Sequence, residues 1–125
     1  MILQVAAGLY TLLIVGIIAF QVALVAGAPL GYLTQGGQYQ GKLPPSRRVV
    51  AGASITLLLC MGATIASTAG IISSSLPTWT RDVTVIIQAL TTVANWATPS
   101  TSERLLWGPV STVMLVLAIC VVALA

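Results

Sequence analysis

The apolar run from Ile2 to Ala28 constrains this chain more than any other feature of its sequence. A helix needs about 20 predominantly apolar residues to span a membrane, and this longer run has only Gln4 and Gln21 as strongly polar interruptions. A signal peptide is disfavoured because no Lys or Arg precedes the run and its apolar part is too long. We therefore expect a retained transmembrane helix that stops before Pro29, which disfavours helical backbone in the preceding residue.

The charged residues are too few to cover the surface of a water-soluble domain. Five Lys or Arg and two Asp or Glu make up 6% of the 125 residues, against about 25% in an average soluble domain. The composition therefore predicts one integral membrane domain over residues 1–125. The net charge of +3 does not indicate nucleic-acid binding, because the basic residues flank the apolar runs, as in membrane proteins. The absence of His removes the commonest general base and metal ligand.

Three further apolar runs complete the predicted fold, an all-α bundle of four transmembrane helices. The third run is the shortest. It is also the most polar, because it contains two amides and several threonines. Ser46 is expected to cap the second helix, and Pro109 is expected in the first turn of the fourth. The predicted helices span residues 2–28, 49–72, 79–97 and 105–125.

The basic residues set the orientation of the predicted helices. Loops 29–48 and 98–104 lie on the same side of the membrane and hold four of the Lys and Arg residues, whereas the loop between them has only Arg81, beside Asp82. For the bacterial inner membrane, the expected location, the positive-inside rule then predicts both of these loops in the cytoplasm and both termini outside. The residues expected at the interfaces, next to lipid head groups or a partner, are Arg47, Arg48, Trp79, Trp96, Arg104 and Trp107.

The two halves of the chain share a short pattern. Residues 46–52 read Ser-Arg-Arg-Val-Val-Ala-Gly, and residues 102–108 read Ser-Glu-Arg-Leu-Leu-Trp-Gly. The match predicts two helical hairpins in the same orientation, a parallel repeat, although shared interfacial constraints would produce the same pattern. Arg48 and Arg104 are then expected to play equivalent roles. A cation at a helix N-terminus opposes the macrodipole, so helix stability explains neither arginine, and anionic head groups or a partner would.

Small residues recur at helical spacing in the first and second predicted helices. In lipid such stripes let helices approach closely, since packing replaces the hydrophobic effect between them. We expect these residues to pack inside the bundle or to form a surface for a partner subunit. The positions are Ala19, Ala23, Gly27, Gly62, Ala66 and Gly70.

Polar residues within the spans point to packing more than to catalysis. Gln21 and Asn95 fall in the cytoplasmic halves of their helices, where they could contact each other, line a small polar site or bond neighbouring helices. Asp82 and Glu103 lie at opposite membrane faces, each beside an Arg, which predicts helix-end ion pairs or macrodipole partners. The glycine-rich first loop lacks the Gly-Lys-Ser/Thr ending of a phosphate-binding loop. We therefore expect a protein that is not an enzyme and that carries no cofactor or metal.

A set of loop and cap motifs runs through the chain: Gly27-Ala28-Pro29-x-Gly31, Gly36-Gly37, Leu43-Pro44, Arg48 and Ser102-Glu103-Arg104-x-x-Trp107-x-Pro109. These motifs resemble those of a widespread group of small bacterial four-helix membrane proteins of unknown function. The resemblance covers most of the chain and implies the same topology, but it implies no activity. That family commonly has an aromatic residue where this chain has Leu30.

Missing catalytic groups and abundant packing residues predict an accessory or assembly subunit. We expect it to lie in membrane lipid and to pack against a larger complex, of electron-transfer or photosynthetic type, or in a homo-oligomer. We expect no nucleic-acid partner. The alternatives are an oligomeric channel or transporter for small solutes, and a protein that binds a lipid or quinone. Residues 30–43 are either a re-entrant, ligand-contacting segment or a solvated connector with interfacial Tyr32 and Tyr39.

Overall fold

The structure, a computed structural model, describes residues 1–125 and contains four α-helices and no strand. They are α1 (Ile2–Val25), α2 (Pro45–Thr68), α3 (Trp79–Ala97) and α4 (Thr101–Leu124). The all-α prediction with four helices is confirmed. By length and composition α1, α2 and α4 could each cross a membrane, whereas the more polar α3 does not reach the same hydropathy.

The prolines and caps move two helix starts away from the predicted positions. Proline is favoured in the first turn, so α2 begins at Pro45 and takes in Ser46, which is not its cap. The N-cap of α4 is Ser100, whose hydroxyl accepts a hydrogen bond from the backbone N–H of Glu103 at 3.2 Å. Because α4 begins at Thr101, Pro109 lies in the helix interior and not in the first turn.

Glycines in the left-handed region end α1 and α2 earlier than predicted. Gly27 has φ +96°, and the N–H of Ala28 donates to the carbonyl of Ala23 at 2.9 Å, which is a Schellman cap. Gly70, with φ +74°, ends α2 in the same way. Gly27 and Gly70 therefore do not continue the small-residue stripes assigned to them, because each lies beyond the end of its helix.

The packing of the four helices is uneven. α1 packs closely against α2 and α4, and α3 packs closely against α4, whereas α2 and α3 barely touch. We call the end where α1 stops and α2 and α4 start the cap end, and the other the terminal end, since it holds both chain termini. The main apolar core lies toward the terminal end and draws on α1, α2 and α4; its buried residues are Ala6, Ala7, Tyr10, Ile14, Ile65, Ala69, Met114, Ala118 and Val121.

Helix α3 turns its polar face inward and its apolar face outward. Thr84, Gln88 and Thr92 are buried, whereas Ile86 and Leu90 are 57% and 65% exposed. A helix on the surface of a water-soluble protein buries its apolar stripe instead. The inverted face of α3 therefore suits a protein whose surroundings are apolar.

Hydrogen bonds attach this polar face of α3 to its neighbours. The Tyr10 hydroxyl on α1 donates to Gln88 Oε1 at 2.8 Å, and Gln88 Nε2 donates to the Ser111 carbonyl of α4 at 3.2 Å. The Thr92 hydroxyl donates to the same carbonyl at 3.1 Å. We call Tyr10, Gln88, Thr92 and Ser111 the polar seam. Its hydrogen bonds tie α1, α3 and α4 together.

Replacing Tyr10 with Phe should destabilise the protein by about 1–2 kcal/mol, because the buried Gln88 carbonyl oxygen loses its hydrogen-bond donor. Tyr32→Phe is the matched control, since Tyr32 is exposed and its hydroxyl makes no hydrogen bond within the protein. Unfolding in detergent measures both variants. Equal stability of the two variants would contradict a structural role for the seam.

Candidate binding cavity

A cavity of about 180 Å³ lies in the cap half of the bundle, where all four helices contribute to its wall. Its wall includes residues of α2 and α3, two helices that make few contacts with each other. Nine of its seventeen lining residues are hydrophobic, so the wall mixes apolar side chains with polar groups. The polar lining includes Gln21, Thr34, Ser54, Thr91, Asn95 and Glu103.

The two amides singled out in the sequence both reach this cavity. Gln21 approaches from α1 and Asn95 from α3, but they form no hydrogen bond with each other. Asn95 Nδ2 donates to the Trp107 carbonyl over a long 3.5 Å, and Gln21 makes no side-chain hydrogen bond within the protein. The structure therefore brings the pair to one site, where both amide oxygens lack a protein donor.

Glu103 also lines the cavity, and sequence reasoning assigned it a different role. Glu103 is 7% exposed, and its Oε2 accepts a hydrogen bond from the backbone N–H of Gly36 at 3.0 Å. It forms no salt bridge with Arg104, but it lies in the first turn of α4, as the alternative expectation of a macrodipole partner requires. In a capping box this carboxylate would bond back to the N–H of Ser100, which here donates to a threonine hydroxyl instead. The Ser100-x-x-Glu103 spacing was the one sequence signal for this residue.

The first loop folds into a cap over the same end of the cavity. Two short 3₁₀ turns, Gly31–Leu33 and Gln35–Gly37, form its centre, and we call residues 29–44 the cap loop. Trp107 Nε1 donates to the Leu33 carbonyl at 2.8 Å, and the Ser100 hydroxyl donates to the Tyr32 carbonyl at 2.9 Å. Leu33 also lines the cavity, which favours the ligand-contacting alternative over a free solvated connector.

The arginines predicted to act equivalently have different surroundings. Arg48 and Arg104 are both the fourth residue of their helices, as the repeat pattern requires. Arg48 Nε donates to the Leu43 carbonyl at 2.9 Å, and a Cβ on Gly27 would lie 3.4 Å from Arg48 Nη2. Arg48 therefore lies over the C-terminus of α1, where the macrodipole favours a cation. Arg104 is half-buried, and its Nε has no hydrogen-bond partner.

The other predicted interfacial residues divide between surface and cavity. The guanidinium of Arg47 lies 5.7 Å from the centroid of the Tyr39 ring, within range of a cation–π interaction. Trp79 and Trp96 are exposed. Trp107 is half-buried, lines the cavity, and packs against Phe20 with ring centroids 5.0 Å apart.

The predicted small-residue stripes lie partly inside the bundle and partly on its outer surface. Gly62 and Ala66 are buried, and a Cβ on Gly62 would approach a methyl carbon of Ile14 to 3.2 Å, so this part of α2 packs inside the bundle. On α1, Ala23 is half-buried and Ala19 is exposed. The α1 stripe therefore does not contribute a tight contact within the bundle at Ala19.

Comparison of the chain with protein-family profiles, curated proteins and solved structures finds no match. The likeness to small four-helix membrane proteins stays a prediction carried by its motifs. No group of three or more His, Cys, Asp or Glu side chains could hold a metal ion. The cavity with its cap loop is therefore the candidate site, on geometry alone.

Replacing Gly37 with Ala should loosen the cap loop more than the neighbouring Gly36→Ala. Both glycines have left-handed backbone, with φ +70° and +78°, so both variants carry a strain of about 1–2 kcal/mol. Only at Gly37 would the new Cβ clash, 2.7 Å from Ser100 Cβ, because Gly36 has open space there. Amide hydrogen exchange of the cap loop measures the difference. Equal exchange in the two variants would mean that the loop does not pack on α4.

Proposed function

We propose that this chain is a multi-pass membrane protein, without catalytic activity, that binds a small amphipathic molecule in the cavity. The observation that carries the proposal is a capped cavity with a mixed polar and apolar wall, inside a bundle with an apolar exterior. Ligand sites are commonly concave and mostly apolar, with a few polar groups that orient the ligand. This proposal follows the alternative of a lipid- or quinone-binding protein, and it does not specify which compound is bound.

The surface of the bundle supports its location in a membrane. Large apolar side chains are exposed on all four helices, among them Leu12 at 67% and Leu105 at 70%. Such a continuous apolar exterior is uncommon on soluble monomers and is expected where lipid surrounds the protein. The inverted α3 fits the same setting, since its polar groups find partners only inside the bundle.

The size and position of the cavity restrict what it can bind. At about 180 Å³ it is smaller than the 300–1,000 Å³ typical of sites for drug-sized ligands. It therefore suits a small molecule or the head group of a larger one. The sparse packing between α2 and α3 offers a lateral route by which an apolar tail could remain in the surrounding lipid.

Contacts within each hairpin support the proposed parallel repeat. A Cβ on Gly108 would lie 2.9 Å from the Trp96 ring, and one on Gly52 would lie 3.9 Å from Val25. The two glycines occupy corresponding places in the repeated pattern. Both glycines face the preceding helix of their own hairpin, but only at Gly108 does the contact exclude a side chain.

An accessory subunit is the second candidate, and the outer face of α1 favours it. Ala19 is exposed, and a Cβ on the nearby Gly16 would meet no atom within 4 Å. Small residues on an outward helix face permit close approach of a partner helix in lipid. The larger complex predicted from the sequence would contact the bundle there.

Replacing Ser54 with Phe should exclude the ligand, because Ser54 lines the cavity and a phenyl ring would fill it. Thr56→Phe is the matched control, since Thr56 is exposed on the same helix. Native mass analysis after gentle extraction should find a small bound molecule on the wild type and on Thr56→Phe only. A stoichiometric larger protein and no small molecule would favour the accessory subunit instead. Equal occupancy in both variants would contradict the proposed site.

The charges support a threading with the cap end in the cytoplasm and both termini outside. The cap end carries Lys42, Arg47, Arg48 and Arg104, and the positive-inside rule assigns such an end to the cytoplasm of a bacterial inner membrane.

Cysteine labelling in intact cells tests this threading. With Cys60 and Cys120 replaced by Ala, a cysteine at the exposed Ser74 should react with an impermeant thiol reagent. One at the exposed Gln38 of the cap loop should react only after permeabilisation. Labelling at 38 without labelling at 74 would reverse the orientation.

A further inference from the structure

Glu103 is the only charged residue in the lining of the cavity. The residue is 7% exposed, its carboxylate accepts one hydrogen bond, at Oε2, and it forms no salt bridge. Burying a carboxylate is costly unless a cation or several donors compensate it. The N-terminus of α4 and the Gly36 N–H offset only part of that cost.

No basic residue of the cap end lines the cavity or forms a salt bridge with Glu103. Arg48 bonds to the Leu43 carbonyl, and Arg47 lies over the Tyr39 ring. Arg104 follows Glu103 in the helix but forms no salt bridge with it, and it does not line the cavity. A cation that neutralises Glu103 would therefore come from a molecule in the cavity.

Aromatic rings stand in the same wall as the carboxylate. Trp107 lies one helical turn after Glu103 and on the same side of α4, and Phe20 of α1 packs against it at 58° between ring planes. Organic cations are attracted to the faces of such rings, and quaternary ammonium groups are recognised in this way. A metal ion would gain little from two aromatic rings and one carboxylate, because hard cations prefer several oxygen ligands.

The amide oxygens of Gln21 and Asn95 add acceptors to the wall. Gln21 makes no hydrogen bond within the protein, and Asn95 uses only its Nδ2 group. Carbonyl oxygens accept from the N–H or hydroxyl donors that small organic amines carry.

We propose that the cavity recognises a small organic ammonium group, with Glu103 as its counter-ion and Phe20 and Trp107 as its aromatic wall. This proposal rests on the proposed function, since it names the chemical class that the cavity would take. A free amine and the choline or ethanolamine head group of a lipid share this chemistry.

Choline and its neutral carbon isostere test the charge requirement, because they differ in charge and hardly in shape. Calorimetric titration of the full-length protein, in bilayer discs of phosphatidylglycerol, should show choline binding at least about tenfold more tightly than the isostere. Glu103→Gln should abolish this preference, since the amide still accepts from Gly36 but carries no charge. Asp82→Asn removes the same charge at the terminal end and should bind choline as the wild type does.

A second variant covers the case in which Glu103→Gln does not fold. Phe20→Leu keeps an apolar wall and should weaken choline binding while leaving the isostere unaffected. Discs that contain phosphatidylcholine distinguish the two sources. Weaker choline binding there identifies a lipid head group as the ligand, and unchanged binding identifies a free amine.

Equal affinity of the wild type for choline and the isostere would overturn the ammonium proposal, and so would unchanged choline binding by Glu103→Gln. Either result leaves the cavity as a site for another molecule. No binding of choline or the isostere, together with no small bound mass on the extracted wild-type protein, would overturn the proposed function itself.

Discussion

The hydrogen bond from Tyr10 to Gln88 is the interaction on which the arrangement of the bundle depends. It joins α1 to α3, a helix that contributes no fully buried apolar side chain to the core and only Val85 packed against it, so hydrogen bonds are its main buried link to α1. In apolar surroundings an amide without partners is costly, and packing of aliphatic side chains offers little driving force between helices. The polar face of α3 therefore turns inward, and Leu90 with its apolar neighbours turns outward.

The polar seam also separates two differently built halves. Toward the terminal end, small side chains such as Ala7 and Ala118 let α1 and α4 pack tightly, and the core is continuous. Toward the cap end, α2 and α3 barely touch, and the space between the helices stays open under the cap loop. Glu103 links the features of this half, because it lies in the first turn of α4, accepts a hydrogen bond from the Gly36 N–H and lines the cavity. A rigid packed half would thus support a half that can accept a ligand.

Much of the fold was predictable from local sequence, whereas the site was not. Four helices follow from four apolar runs, and a small polar site was one of the alternatives that the sequence left open for Gln21 in the first run and Asn95 in the third. The helix ends were less accurate, because the left-handed backbone of Gly27 is a cap only in the context of the following turn. For Glu103 the sequence suggested an ion pair with Arg104 or a partner of the helix macrodipole, but its bond to Gly36 joins residues 67 positions apart. Such long-range pairing leaves no signal in a single sequence.

The inward polar face of α3 is the central claim, and spin labels along that helix in a lipid bilayer test it most directly. Labels at the exposed positions Ile86, Leu90 and Val93 should collide frequently with oxygen, which concentrates in lipid, and rarely with a water-soluble nickel chelate. A label at Thr84, on the buried face, should be immobile and collide with neither. The reverse pattern, with Leu90 open to the nickel chelate and Thr84 open to oxygen, would contradict the account.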